Sequence, residues 1–268
     1  MNEEIISSLQ NNRVKKAIKL RERRERDREK KFLIEGYREL FWACEGGVRI
    51  EFLFICPELF LGENERELIE KIANSGAKIT RCSSSVFRKL SYRDRPDGLL
   101  AVAPHLAYCL ESLNKKEADF FVVAEAIEKP GNLGTILRSS DAVGADAVIV
   151  CDRCTDIHNP NVVRASVGTL FTQPVIEEKG DCVVQWLRQR NVVILAATPE
   201  ASLEYTKVDL KKPIAVVVGT EQYGLSAKWM EGANYQVKIP MMGSADSLNV
   251  AMATSLLLYE VLRQRRIE

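Results

Sequence analysis

The sequence predicts an α/β protein in two parts: a C-terminal domain built on a parallel sheet and a smaller N-terminal α/β domain. Three observations carry this. The 268 residues exceed the roughly 100–150 commonest for one domain. From Asp119 onward, runs rich in Val, Ile and Ala recur without the polar alternation of a half-exposed sheet, the pattern of strands buried on both faces. A charged stretch after Pro104 separates them from a shorter strand and helix alternation upstream.

Taken in order, residues 1–31 form a charged extension. Its part from Arg13 to Lys31, ending in RERRERDREKK, has no Gly or Pro and reads as helix with a local basic excess. A solvated helix and an arm that touches nucleic-acid phosphates explain it equally well. Residues 32–104 alternate strand-like FLIEG, IEFLFIC, AKITRC and GLLAVA with helical YRELFWACEG and ENERELIEKIANSG, a small α/β domain. Residues 105–118 read as a linker. Residues 119–268 hold the strand runs DFFVVAEA, DAVIVC, QPVIE, NVVILAAT, PIAVVVG and YQVKIP, and close with an amphipathic helix from Ser247 to Arg265. The basic end of that helix, RQRR, suits the negative end of a helix dipole without any ligand.

Composition excludes several classes. With 46% hydrophobic and 28% charged residues the chain is globular, not disordered. A formal net charge of +1 gives no overall pull on polyanions, so any nucleic-acid surface must come from local segregation of charge. No apolar run approaches the roughly 20 residues that span a bilayer, and MNEEIISSLQ lacks the order of a signal peptide. A cytoplasmic protein with no membrane partner is expected. The seven cysteines suit free thiols, and the single CxxC, Cys151 with Cys154, has no second pair beside only two histidines, so no metal is expected.

Three segments carry candidate chemistry. EKPGNLGTILRSSDAVGADAVIV (Glu128 to Val150) is a strand, a Pro-Gly turn and a helix read as starting near Asn132, leaving polar groups at a helix amino terminus. A plain crossover accounts for its glycines. It does not account for Asn132 with Arg138, six positions apart, nearly two turns, which need not share a face at ideal helical spacing. PIAVVVGTEQYGLS (Pro213 to Ser226) stops a strand at Gly219 and sets Thr220 and Glu221 at the carboxyl edge of a parallel sheet, where ligands bind. Glu221 reads as a cap partner or a functional group with similar weight. YQVKIPMMGSADSLNVAMATSLLLYE (Tyr235 to Glu260) joins a strand through a loop to the terminal helix. Capping explains Ser247, whereas Asn249 faces whatever the loop encloses.

In this order, the set resembles the SpoU/TrmH branch of the knotted RNA methyltransferases: PGNLGTILRSSDAVGA its first motif, VVVGTEQYGLS its second, IPMMGSADSLNVAMATSLLLYE its third. NPNVVRASVGTLFTQP (Asn159 to Pro174) is similar to their intermediate helix region, and KFLIEGYREL through YRDRPDGLLAVA resembles their substrate-binding domain. Thr220 stands where many members carry asparagine.

The resemblance implies a trefoil knot in the parallel-sheet domain, against the usual rule of unthreaded connections. It implies a homodimer packed partly through the terminal helix. It also implies S-adenosylmethionine in a pocket made by Ala196, Ala197, Thr198, Gly219, Thr220, Glu221, Ile239, Met241, Ser247 and Leu248, and methyl transfer to a ribose 2′-hydroxyl of RNA. The catalytic residues so implied are Arg138 nearest the ribose, Asn132 and Glu221 organising the pocket, and Ser247 with Asn249 orienting Arg138 or the nucleotide. A guanidinium, with a pKa above about 12, is a poor base, so Arg138 is read as holding phosphate and stabilising charge on the oxygen. Ribosomal RNA is favoured over transfer RNA as substrate because of the separate N-terminal domain. The rivals are a non-catalytic RNA-binding or ribosome-assembly factor and a Rossmann-type nucleotide enzyme. No GxGxxG or Walker loop supports the latter.

Overall fold

The computed structural model describes residues 5–266. The first four residues of the charged extension and the last two of the chain lie outside the described residues. The chain forms two compact units, residues 1–106 with 158–172 and residues 107–157 with 173–268.

In the first unit the charged stretch is two helices, α1 (Asn12–Lys19) and α2 (Arg23–Glu29), rather than one. Neither reading of a bare charged helix is complete, because Val14, Ala17 and Leu20 are core residues packed with Val86, Phe87 and Leu90. The break between the helices is held by Arg26, buried, whose Nη1 donates to the carbonyls of Leu20 and Arg21 at 3.0 and 2.6 Å. β1 (Lys31–Glu35), α3 (Tyr37–Glu45), β2 (Phe52–Ile55), α4 (Glu65–Asn74), β3 (Lys78–Arg81), α5 (Ser84–Leu90) and β4 (Leu99–Pro104) follow. The four strands form one sheet in the order β1-β4-β2-β3, with β4 antiparallel to both neighbours and β2 parallel to β3.

The second unit contains β5 (Phe120–Glu125), α6 (Pro130–Ala142) and β6 (Ala147–Cys151), then, after the segment 158–172 with its helix α7 (Pro160–Ser166), β7 (Val175–Glu178), α8 (Gly180–Gln189), β8 (Val193–Ala197), β9 (Leu203–Glu204), β10 (Ile214–Val218), α9 (Ala227–Gly232), β11 (Tyr235–Lys238) and α10 (Val250–Arg266). α7 belongs by packing to the first unit, against β1. The seven strands are all parallel, in the order β7-β6-β5-β10-β8-β11-β9.

Both faces of this sheet are buried, as the unbroken Val/Ile runs require. Phe121, Val123, Ile149, Ala215 and Val217 share one core with Val183 and Leu187 of α8 and Trp229 of α9, while the alternate residues Val122, Val148 and Val216 are equally buried. α10 packs on α6 and β10, with Ser139 and Ser255 hydroxyls 2.7 Å apart where the two helices meet. The basic end of α10 is absorbed by the fold. Arg263 pairs with Glu260, and Arg265 donates to the carbonyls of Leu210, Ala118, Asp119 and Lys212 beneath the Phe120 ring. Among the described residues no helix is long and apolar enough to cross a membrane. All seven cysteines are free thiols.

Candidate functional site

Parallel strands end together, and the second unit gathers its polar loops at one carboxyl edge. β10 ends at Val218, and the chain turns back on itself: Thr220 N–H donates to Gly224 O at 3.0 Å and Gly224 N–H to Thr220 O at 3.1 Å. Gly219 is required here, since a Cβ on it would lie 2.3 Å from Gly224 O. The Thr220 hydroxyl accepts the Tyr223 N–H at 2.9 Å, so threonine serves the turn itself. The loop's far end is fixed by Glu125, buried at the end of β5, which accepts from Ser226 N–H at 2.8 Å and Ser226 Oγ at 2.6 Å.

Glu221 sits at the tip of this loop and is the hub of the site. Its Oε1 accepts from Asn132 Nδ2 at 2.7 Å and Asn249 Nδ2 at 2.6 Å, and its other oxygen pairs with Lys129. Val250 N–H, at the start of α10, also donates to it. Asn249 Nδ2 lies 3.2 Å from Asn132 Oδ1, closing a triangle of side chains from three separate loops. The Lys129 ammonium and the Asn132 amide hold the Glu221 carboxyl below the ordinary carboxylate range, and the carboxylate in turn raises the Lys129 pKa.

Two local expectations need correction. α6 begins at Pro130, a favoured first residue, so Asn132 is its third residue and not the cap. α10 begins at Val250, and Asn249 rather than Ser247 caps it: Asn249 Oδ1 accepts from Ala251 and Met252 N–H at 3.1 and 3.4 Å. One side chain therefore caps a helix with its oxygen and binds Glu221 with its nitrogen. Ser247 is exposed and makes no hydrogen bond with another described residue.

Arg138 lies nearly two turns along α6 from Asn132, about 9 Å in rise, its side chain exposed and without a hydrogen bond or ion pair among the described residues. The structure thus unites Asn132, Glu221 and Asn249, and does not bring Arg138 or Ser247 into contact with them.

Beside the hub lies a cavity of about 460 Å³, within the roughly 300–1,000 Å³ usual for small-molecule sites. Ala197, Thr198, Gly219, Thr220, Glu221, Ile239, Met241, Ser247 and Leu248 line it. Ala196 is fully buried one residue back in β8 and does not. Pro199, Glu200, Tyr223, Leu225, Val237 and Asp246, which sequence reasoning passed over, are also part of the wall. From Met241 to Leu248 the chain makes no hydrogen bond with other described residues, leaving amides and carbonyls for a ligand. Apolar walls, open main-chain groups and the Glu200 and Asp246 carboxylates suit a flat heteroaromatic molecule that carries polar groups and positive charge. Among the described residues no cluster of His, Cys, Asp or Glu is arranged to hold a metal.

Residues 119–259 match the model of the SpoU rRNA methylase family, and residues 11–101 that of the MRM3-like substrate binding domain. The chain is 32% identical over 250 residues to the 23S rRNA (uridine(2479)-2'-O)-methyltransferase of Streptomyces viridochromogenes, covering 91% of this chain and 86% of that protein. It is similar to a solved RNA 2'-O ribose methyltransferase at 39% identity and TM-score 0.85, covering 98% of this chain and 99% of that one. It is also similar to the AdoMet-bound rRNA methyltransferase of Sinorhizobium meliloti, at 29% identity and TM-score 0.89, over 97% of both chains.

Proposed function

The chain belongs to the SpoU rRNA methylase family, and from that premise we propose that it transfers a methyl group from S-adenosylmethionine to a ribose 2′-hydroxyl of ribosomal RNA. The observation that carries this is the Glu221 hub beside an open cavity at the carboxyl edge of a parallel sheet.

The cavity fits the cofactor by its chemistry. Ile239, Leu248 and Leu225 offer apolar surface to a purine, the unpaired main chain from Met241 to Leu248 offers hydrogen bonds to its edge, and carboxylates at the rim offset a cationic centre. When bound there, S-adenosylmethionine supplies an electrophilic sulfonium methyl. The protein's remaining work is to place the attacking oxygen and help its proton leave. Glu221 is held ionised and fully engaged by Lys129, Asn132 and Asn249, so it acts as a clamp between loops rather than as a base. Arg138, a cation with no carboxylate to neutralise it among the described residues, has the chemistry to hold an RNA phosphate and stabilise charge growing on the oxygen.

The partner, threading and compartment follow as parts of the same reading. Met252, Leu256 and Tyr259 are 59%, 43% and 54% exposed at helical spacing on α10, an apolar stripe suited to a second copy of this chain. The cavity is lined by the loops after β8, β10 and β11, and a knotted chain end is part of the same reading, resting on the family membership. Free thiols throughout support a cytoplasmic protein.

Titration calorimetry with S-adenosylmethionine tests the reading. Saturable binding by the folded protein, abolished by filling the cavity with Ser247→Trp at an exposed lining position, is expected; absence of binding by well-folded protein contradicts it.

A further inference from the structure

We propose that Tyr92 of the first unit is a stacking platform for an unpaired base of the RNA substrate, flanked by arginines that take the neighbouring phosphates. The proposal rests on the methyltransferase reading for the identity of the RNA and on the first unit alone for its chemistry.

Tyr92 is a large ring left 40% exposed in a polar loop. It is held rigidly. Its N–H donates to Glu35 Oε2 at 2.7 Å, and Ser91 Oγ binds the other oxygen of the same buried carboxylate. Next in the chain, Arg93 donates to the Glu35 carbonyl at 2.7 Å and pairs with Glu39 at 2.6 Å. The phenol is fixed as well, accepting from Asn161 Nδ2 at 3.0 Å. A ring so anchored loses little freedom when a base settles on it, the condition under which stacking contributes most.

The charge around the ring favours an anionic chain. The Arg21 guanidinium lies over one face of the ring, 5.9 Å from its centroid, and its Nη2 donates to the carbonyls of Lys89, Leu90 and Ser91 rather than to a carboxylate. Arg164 lines the same shallow groove as Tyr92. Together with Arg88, Lys89 and Arg95 on either side of Tyr92, it is exposed and has no ion pair among the described residues. Asp94 and Asp97 are the opposing charges in the loop, and Asp97 is buried, accepting from the Tyr37 and Leu99 N–H groups. An aromatic face interleaved with unneutralised arginines is the pattern that binds single-stranded nucleic acid, where base stacking tolerates any sequence and the cations follow the backbone.

The test measures binding of the full chain to a fluorescein-labelled oligouridylate and to a fully paired RNA duplex. Tyr92→Ala should weaken oligouridylate binding about 5- to 100-fold, Tyr92→Trp should restore it, and the duplex should respond little to either. Arg164→Gln should lower the slope of log affinity against log salt by about 0.7. If Tyr92→Ala fails to fold, Tyr92→Leu, apolar but unable to stack, carries the same expectation. Unchanged oligouridylate affinity in the alanine or leucine variant overturns the proposal, as does an equal loss on the duplex. Failure of the wild-type chain to bind S-adenosylmethionine sinks the methyltransferase reading and leaves these binding arms standing, so the two failures are distinguishable.

Discussion

Asn249 Nδ2 lies 2.6 Å from Glu221 Oε1, tying the cap of the terminal helix to the tip of the loop after β10. Because Asn249 Oδ1 also accepts from the first turn of α10, the two jobs of this side chain separate by substitution. Asn249→Ser keeps a competent cap and loses the donor to Glu221. Asn249→Asp keeps the cap and sets a second carboxylate against the first. Both variants should stay within about 1 kcal/mol of wild-type stability while methyl transfer falls at least about tenfold, about 1.4 kcal/mol of barrier, with aspartate the worse. Thermal unfolding and initial rates compared on the same samples check this.

The Lys129–Glu221 pair has a defined pH window. The Glu221 pKa is lowered on folding, so its contribution is present above the unfolded value of about 4.3 and is lost as pH falls through the lower folded value. The Lys129 pKa is raised, so its contribution is full below about 10.4 and is lost as pH rises through the higher folded value. The difference in melting temperature between wild type and Lys129→Met should therefore be flat between these limits and shrink at both ends. A difference that grows toward acid would refute the assignment.

Gly219→Ala should damage the cavity wall from within. A Cβ would meet Gly224 backbone atoms at 2.3 and 2.5 Å, and backbone cannot swing aside as a side chain can. An overpacking cost of about 1–3 kcal/mol is expected, with a larger proportional loss of cofactor affinity. Chemical denaturation and calorimetry measure the two.

The exposed stripe on α10 predicts assembly. Leu256→Glu, placed between Met252 and Tyr259, should convert the proposed dimer to a monomer in sedimentation equilibrium and leave the far-ultraviolet spectrum intact. An unchanged mass would remove α10 from the interface.

Much of the fold was legible because burial writes itself as pattern. The strand runs of the second unit carry enough consecutive Val and Ile to show two covered faces, and the family motifs lie on the loops that build the site. Short elements left weaker marks. α5, seven residues capped by Ser83, and β9, two residues long, have too little length for a period to register. Ser247 and Asn249 are both good caps, and only the backbone decides which one begins the helix. Lys129 escaped notice because its meaning comes from Glu221, far away in sequence. The carboxylates Glu35 and Glu125 did so for the same reason: each is buried against a loop that sequence spacing does not bring near. The placing of residues 158–172 with the first unit is likewise a fact of packing.

Incubating the protein with methyl-labelled S-adenosylmethionine and ribosomal RNA from cells lacking it, then resolving the digested nucleosides by mass spectrometry, decides whether the chain methylates ribose. Label in a 2′-O-methylnucleoside, absent with Glu221→Ala, is the predicted result. Label confined to a methylated base, or no transfer by protein that binds the cofactor, would contradict it.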